Sequence, residues 1–179
     1  MYFDDTIYHI YNRGAHRINI YRSEFQYNYF LKLLEKYKAK YRIKILAYCL
    51  MPNHFHLLLK QQENGSISRF IQTTCNAYVQ TFNKMEDHSG TIFQGAVKWI
   101  AVESDEYIFQ LVAYIHHNPV AAGLVKKPEL WEFSDFQQWA GMKTFQYDGK
   151  ILRDTYFSEP KEYLELMKEY QNTKLLSKF

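Results

Sequence analysis

Two apolar runs, residues 43–51 and 54–60, are separated by nothing but Pro52-Asn53. Each run has the length of a strand, and Pro-Asn is a turn dipeptide. So short a connection between two strands predicts an antiparallel hairpin. What flanks this hairpin must therefore supply the rest of a sheet and the layer that covers it. Upstream, residues 6–12 alternate, with Ile7, His9 and Tyr11 on one side and Tyr8 and Ile10 on the other. Both sides are partly apolar, as expected of an inner strand. Asn12-Arg13-Gly14 closes it as a turn. Ser23 with Gln26 forms a capping-box pattern, and Tyr27, Phe30, Leu31, Leu34 and Tyr37 then repeat with helical period. Lys32, Lys36, Lys38 and Lys40 take the wet side.

Downstream, Asn64-Gly65-Ser66 reads as a loop and N-cap. Ile67, Phe70, Ile71, Thr74, Tyr78 and Phe82 mark a second helix ending before Ser89-Gly90. Residues 98–103 read as a fourth strand. Through residue 103 the order is βαββαβ, an α+β ferredoxin-like core with an antiparallel sheet and its helices on one face. Extra C-terminal helices follow. Ser104 caps a third helix, with Asp105 and Glu106 at the positive end of its dipole. That helix is expected to run to about His117 and to stop at Asn118-Pro119, because the residue before proline is pushed out of the α region. Trp131, Phe133, Phe136 and Trp139 are expected on the outside of the domain. Residues 161–176 read as a last helix with Tyr163, Leu166, Met167 and Tyr170 as its stripe. Residues 1–140 form the main domain in this reading, and 141–179 are an extension packed on it.

Hydrophobic residues make up 47% of the 179, enough for a packed core, which excludes wholesale disorder. The charge of +3 permits a nucleic-acid partner without requiring one. Aromatics reach 18%, and half of them are Tyr, which suits half-wet surfaces and surfaces on which bases stack. Cys49 and Cys75 lie in apolar stretches and read as reduced core thiols. Neither an h-region nor a run of about 20 apolar residues is present, so a cytoplasmic protein without membrane insertion is expected.

The stretch Met51-Pro52-Asn53-His54-Phe55-His56-Leu57-Leu58-Leu59 is the most informative. In a strand, His54 and His56 share a face about 7 Å apart, while Phe55 and Leu57 anchor the opposite face. Two imidazoles on a rigid strand can grip one divalent metal, and imidazole alone does not choose among Zn, Mn, Ni and Cu. A hydrogen-bonded or exposed pair is the bland alternative. On the third helix Tyr114 and Asn118 are four apart and share a face, while Ile108, Leu111, Val112 and Ile115 bury the other. His116 and His117 read as rival ligands or as solvated side chains. Arg13, His16, Arg17 and Arg22 cluster after the first strand. A second group, Lys36, Lys38, Lys40, Arg42 and Lys44, lies around the end of the first helix, and Lys98 enters the fourth strand. Each could hold phosphate, Arg13, Arg17 and Lys98 foremost.

Taken together these blocks resemble a known family. His54-Phe55-His56 resembles the HUH motif of single-tyrosine transposases. Met51 to Leu58 is similar to the form found in the REP-associated tyrosine transposases. Tyr114-Ile115-His116-His117-Asn118-Pro119-Val120-Ala121-Ala122-Gly123 resembles their Tyr-Ile-x-x-Asn-Pro-Val-x-Ala-Gly block. Tyr8 to Gly14 resembles their opening strand, and Gly90 to Gly95 the segment before their fourth strand. The resemblance spans roughly residues 6 to 140. One departure stands out: where many relatives have Arg-aromatic-Lys after Gln-Gly, this chain has Ala96-Val97-Lys98.

The resemblance implies an HUH transposase catalytic domain in residues 1–140. Such an enzyme cleaves and rejoins single-stranded DNA at hairpin or palindromic sites through a 5′-phosphotyrosine. It implies Tyr114 as nucleophile, His54, His56 and Asn118 as metal ligands, and Mg²⁺ or Mn²⁺ as the metal. Arg13, Arg17 and Lys98 would contact DNA. Related transposases work as homodimers with the tyrosine acting in trans, or alone, and both arrangements stay open. So does a noncatalytic hairpin-binding protein on the same fold. A structural zinc protein is disfavoured, because Cys49 and Cys75 lack paired metal spacing.

Overall fold

The computed structural model describes residues 2–102 and 104–173. Four strands, β1 (Ile7–Arg13), β2 (Ile43–Met51), β3 (His54–Gln61) and β4 (Lys98–Ala101), form one sheet in the order β2-β3-β1-β4. Every neighbouring pair is antiparallel. The expected hairpin is β2-β3, joined by Pro52-Asn53. Its turn is pinned from outside: Ile20 and Tyr21 N–H both donate to the Pro52 carbonyl, and Gly14 N–H donates to that of Asn53.

Helices α1 (Glu24–Lys38) and α2 (Ile67–Glu86) cover one face of the sheet. Phe30 of α1 and Tyr78 of α2 meet Tyr8, Ile10, Phe55 and Leu57 in a core of mutually tilted rings. The start of α1 differs from the capping-box expectation. Ser23 makes no side-chain cap, whereas Gln26 reaches back to accept from Arg22 N–H at 2.6 Å. Its amide also donates to Glu86, which pairs with Arg22, so the ends of α1 and α2 are tied together. Arg22 is thereby committed to structure, as is Lys38 through Asp148 and Glu35.

Helix α3 (Asp105–Ala121) covers the opposite face, capped by Ser104 as expected. Its apolar side packs Ile108, Leu111, Val112 and Ile115 on Ala47, Cys49, Met51 and Leu58. The helix does not stop at Asn118 but continues through Pro119 to Ala121, and Gly123 just beyond it takes φ +69. The Asn118 side-chain amide donates to the Tyr114 carbonyl at 2.8 Å, and Leu124 N–H closes the end on the Pro119 carbonyl. Tyr114 and Asn118 therefore stay one turn apart on a continuous helix. The fourth strand is shorter than expected. Of residues 98–103 it takes 98–101, and Glu103 lies outside the described residues.

The segment after α3 is core, not outer decoration. Trp139 is fully buried and Phe136 nearly so, while Trp131 and Phe133 are half-buried. These rings pack inward because residues 133–135 run along the free edge of β2, with Leu50 N–H donating to Phe133 and Asp135 N–H to Tyr48. Short helices α4 (Phe136–Trp139) and α5 (Gly149–Tyr156) follow. Helix α6 (Pro160–Asn172) then lays Tyr163, Met167 and Tyr170 in the core shared with α3. The expected last helix extended to 176, and residues 174–179 lie outside the described part. Cys49 and Cys75 are free and buried. Among the described residues no helix is long and apolar enough to cross a membrane.

A buried polar knot fastens this second layer. His116 is fully buried, neither solvated nor beside the His54-His56 pair. Its Nε2 donates to Asp135 at 2.8 Å, and the Tyr163 hydroxyl donates to its Nδ1 at 2.5 Å. Asp135 also accepts from Tyr48 N–H and Trp139 Nε1–H. Asp135→Ala strands three buried donors at once and should cost about 3 kcal/mol or more. A urea-unfolding midpoint lowered at constant slope is the expected result, and a loss under about 1 kcal/mol contradicts this role for the carboxylate.

Candidate active site

Strand register assembles the site. Lys98 of β4 lies opposite Tyr11 of β1, Tyr11 opposite His56 of β3, and His56 opposite Cys49 of β2. The next row holds Arg13, His54 and Met51. Because side chains alternate, this face of the sheet carries His9, Tyr11, Arg13, His54, His56 and Lys98, while Phe55 and Leu57 enter the α1/α2 core. Helix α3 sits over one half of this face. Its half-buried Tyr114 ring stands edge-on to His56 with centroids 5.3 Å apart. The other half is a cleft of about 500 Å³, lined by Arg13, Arg17, His54, His56, Lys98 and Tyr114 together with Tyr11, Asn12, Asn53 and Gln94.

The basic residues are aimed by the loop after β1. At Gly14 any Cβ would lie 2.2 Å from the Ile18 carbonyl oxygen, so the tight approach needs glycine there. His16 and Arg17 follow, both with positive φ, a strained pair that turns the Arg17 side chain to the cleft. Arg13 Nε donates to Gln94, whose own backbone N–H donates to the Arg13 carbonyl.

The two histidines differ in partners. His54 Nδ1 donates to Asn53 Oδ1 at 2.7 Å, which leaves its Nε2 with a lone pair. His56 Nδ1 is 2.9 Å from His9 Nε2, and His56 Nε2 is buried without a protein partner. The Asn118 side chain lies against both His54 and Tyr114. Among the described residues no three His, Cys, Asp or Glu side chains converge as a metal cage, so any third protein donor beside this pair must come from a group such as the Asn118 amide. Two imidazole nitrogens and one amide oxygen, one of the nitrogens buried and unpartnered, fit a divalent cation with room left for other ligands.

Burial sets the protonation states. It pushes the His9 pKa down to about 4. It also lowers His54, and it lowers His56 further with help from the neighbouring His9 and His54. All three imidazoles are therefore neutral at neutral pH, as ligation requires. Burial raises Tyr114 above the ordinary phenol value, partly offset by its bond to Asn118.

Arg13, Arg17, His54, His56, Lys98 and Tyr114 thus line one cleft, whereas Arg22, Lys38 and His116 are engaged elsewhere. His9, Asn53 and Gln94 were missed. His9 had a signal, since it alternates in phase with Tyr11. Asn53 sat in the predicted turn, and Gln94 had only its place in a family block.

The chain belongs to the family described as Transposase IS200 like, which matches residues 2–118. A curated relative in Haemophilus influenzae, named as a candidate REP-associated tyrosine transposase, is 23% identical over 133 residues, covering 62% of this chain and 74% of its own. A solved structure of a REP-associated tyrosine transposase bound to a REP hairpin superimposes with a TM-score of 0.65 at 19% identity, covering 82% of this chain and 92% of that one. It shares the fold.

The histidine shifts have a consequence for stability. Unfolded, each imidazole takes a proton near pH 6.5. Folded, it resists protonation to lower pH, so below about 6.5 the unfolded chain binds more protons and stability falls with pH. For His9 the window runs from there down to about 4. The loss is up to about 1.4 kcal/mol per pH unit for each imidazole. Urea midpoints at about pH 7 and about pH 5 should show the drop, and equal midpoints would mean that these imidazoles are charged in the folded protein.

Proposed function

We propose that this transposase cleaves and rejoins single-stranded DNA at hairpin or palindromic sites through a 5′-phosphotyrosine at Tyr114. The observation that carries the proposal is the approach of the Tyr114 ring to His56 of its own chain, above a cleft rimmed by Arg13, Arg17 and Lys98. In this reading His54, His56 and Asn118 hold Mg²⁺ or Mn²⁺. Bound there, the cation neutralises the scissile phosphate and makes phosphorus more open to attack. Arg13, Arg17 and Lys98 hold neighbouring phosphates and fix the strand in line with the phenol.

Tyr114 stays protonated at rest, and the Asn118 amide steadies the oxygen as negative charge develops on it. The phenolic oxygen gives up its proton to water and bonds to phosphorus, the bond from phosphorus to the 3′ oxygen breaks, and the 3′ oxygen takes up a proton from water. Reversal joins a new 3′-hydroxyl to the held 5′ end, so no ATP is needed. A tyrosine and a histidine pair from one chain favour action in cis. Residues 1–140 carry the chemistry in this reading, and the extension from 141 braces α3 from outside.

Tyr114→Phe should remove the covalent adduct with a labelled hairpin oligonucleotide while leaving hairpin affinity within about threefold. An adduct at the wild-type level in that variant rejects Tyr114. EDTA should stop cleavage, and added Mn²⁺ or Mg²⁺ restore it. A hairpin bound but never cut under any of these metals points instead to a noncatalytic binder.

Phosphate contact by Arg13, Arg17 and Lys98 predicts a salt signature. Each alanine variant should weaken hairpin binding and lower the slope of log affinity against log salt by about 1. An unchanged slope removes that residue from the interface.

A further inference from the structure

The His56 imidazole has a neighbour with no part in the reaction as described so far. His9 projects from β1, the strand paired with β3, one step diagonal to His56, and only 3% of it is exposed. Its ring stacks on that of His56 with centroids 5.1 Å apart and an interplanar angle of 23°, and Tyr11 packs against both rings, 5.0 Å from His9 and 6.0 Å from His56. His9 Nε2 and His56 Nδ1 are 2.9 Å apart, so one proton lies between them. If His9 supplied it, the proton of His56 would sit on Nε2, and that buried nitrogen would be closed to a cation. If His56 supplies it, His9 carries its own proton on Nδ1 and the His56 Nε2 keeps its lone pair; both of these buried atoms lack a protein partner, and of the two tautomers this one leaves the His56 Nε2 open to a cation. Asn53 plays the matching part for His54, accepting its Nδ1 proton at 2.7 Å.

We propose that His9 is a positioning residue: it accepts the Nδ1–H of His56 and so holds the ring in the tautomer and orientation that present Nε2 to a divalent cation. This rests on His54 and His56 being cation ligands. His9 is not itself a ligand, because its Nε2 is spent on His56 and its Nδ1 then carries the ring's proton. The rigidity comes from the sheet, since both rings stand on adjacent paired strands. Acceptors of this kind act through ligand basicity and orientation, and their loss costs roughly 10- to 100-fold in metal affinity.

The test compares wild type, His9→Gln, His9→Phe and His56→Ala, with Mn²⁺ as the probe and free Mn²⁺ read by electron paramagnetic resonance. His9→Gln keeps an acceptor oxygen, whereas His9→Phe keeps the ring and loses the acceptor. Expected are a roughly 10- to 100-fold loss of Mn²⁺ affinity in His9→Phe and recovery to within about threefold of wild type in His9→Gln. Nitrogen-15 NMR of Mg²⁺-loaded wild type should put the His56 proton on Nδ1, a reading that stands even if His9→Phe fails to fold. Wild-type affinity in folded His9→Phe, or a His56 proton on Nε2 in the loaded protein, overturns the proposal. His56→Ala separates the two levels. If it binds Mn²⁺ as wild type does, the cation site itself is wrong. If it loses binding while His9→Phe does not, only the role of His9 falls.

Discussion

Strand β3 has to face two ways at once. Phe55 and Leu57 are fully buried under α1 and α2, and His54 and His56 stand on the opposite side against α3 and the cleft. A slip of one residue would exchange the two sets, placing imidazoles in the apolar core and rings in the cleft. The burial of Phe55 and Leu57 therefore holds the chemistry in place as well as the fold. The turn before β3 reinforces it, since Pro52 and Asn53 are bound by the backbone of residues 14, 20 and 21. The same loop carries Arg17 to the cleft.

The second constraint is the seating of α3. The role proposed for Tyr114 requires its helix to keep a fixed height over the sheet. Apolar packing on Ala47, Cys49 and Leu58 supplies the adhesion. Directional constraint comes from His116, bound at both ring nitrogens to side chains from the C-terminal layer. Residues 133–170 thus act on the site without entering it. They also cover the β2 edge, which would otherwise present unpaired backbone groups.

Much of this was legible in advance. Alternation placed His54 and His56 on one face, helical spacing placed Tyr114 beside Asn118, and the family blocks linked them. Other readings failed for identifiable reasons. Proline costs a helix one bond, here the one to the Ile115 carbonyl, and so near the end of α3 that single loss does not stop the helix, which buries Pro119 and runs on to Ala121. The aromatics from Trp131 to Trp139 looked external because their partners lie far away in sequence, on β2, α3 and α6. His116 looked solvated because Asp135 and Tyr163 are 19 and 47 residues downstream.

Sequence alone determined the order of strands and helices through α3, the shared face of His54 and His56 and the family, because these depend on periodicity and on local blocks. Tertiary structure alone decided which faces meet. The pairing of β1 between β3 and β4 brought His9, Tyr11 and Lys98 into line with His56, and the docking of α3 set Tyr114 over them. Contacts of that kind are fixed by the summed burial of distant apolar groups and by strand register, neither of which leaves a mark within any one short stretch of chain.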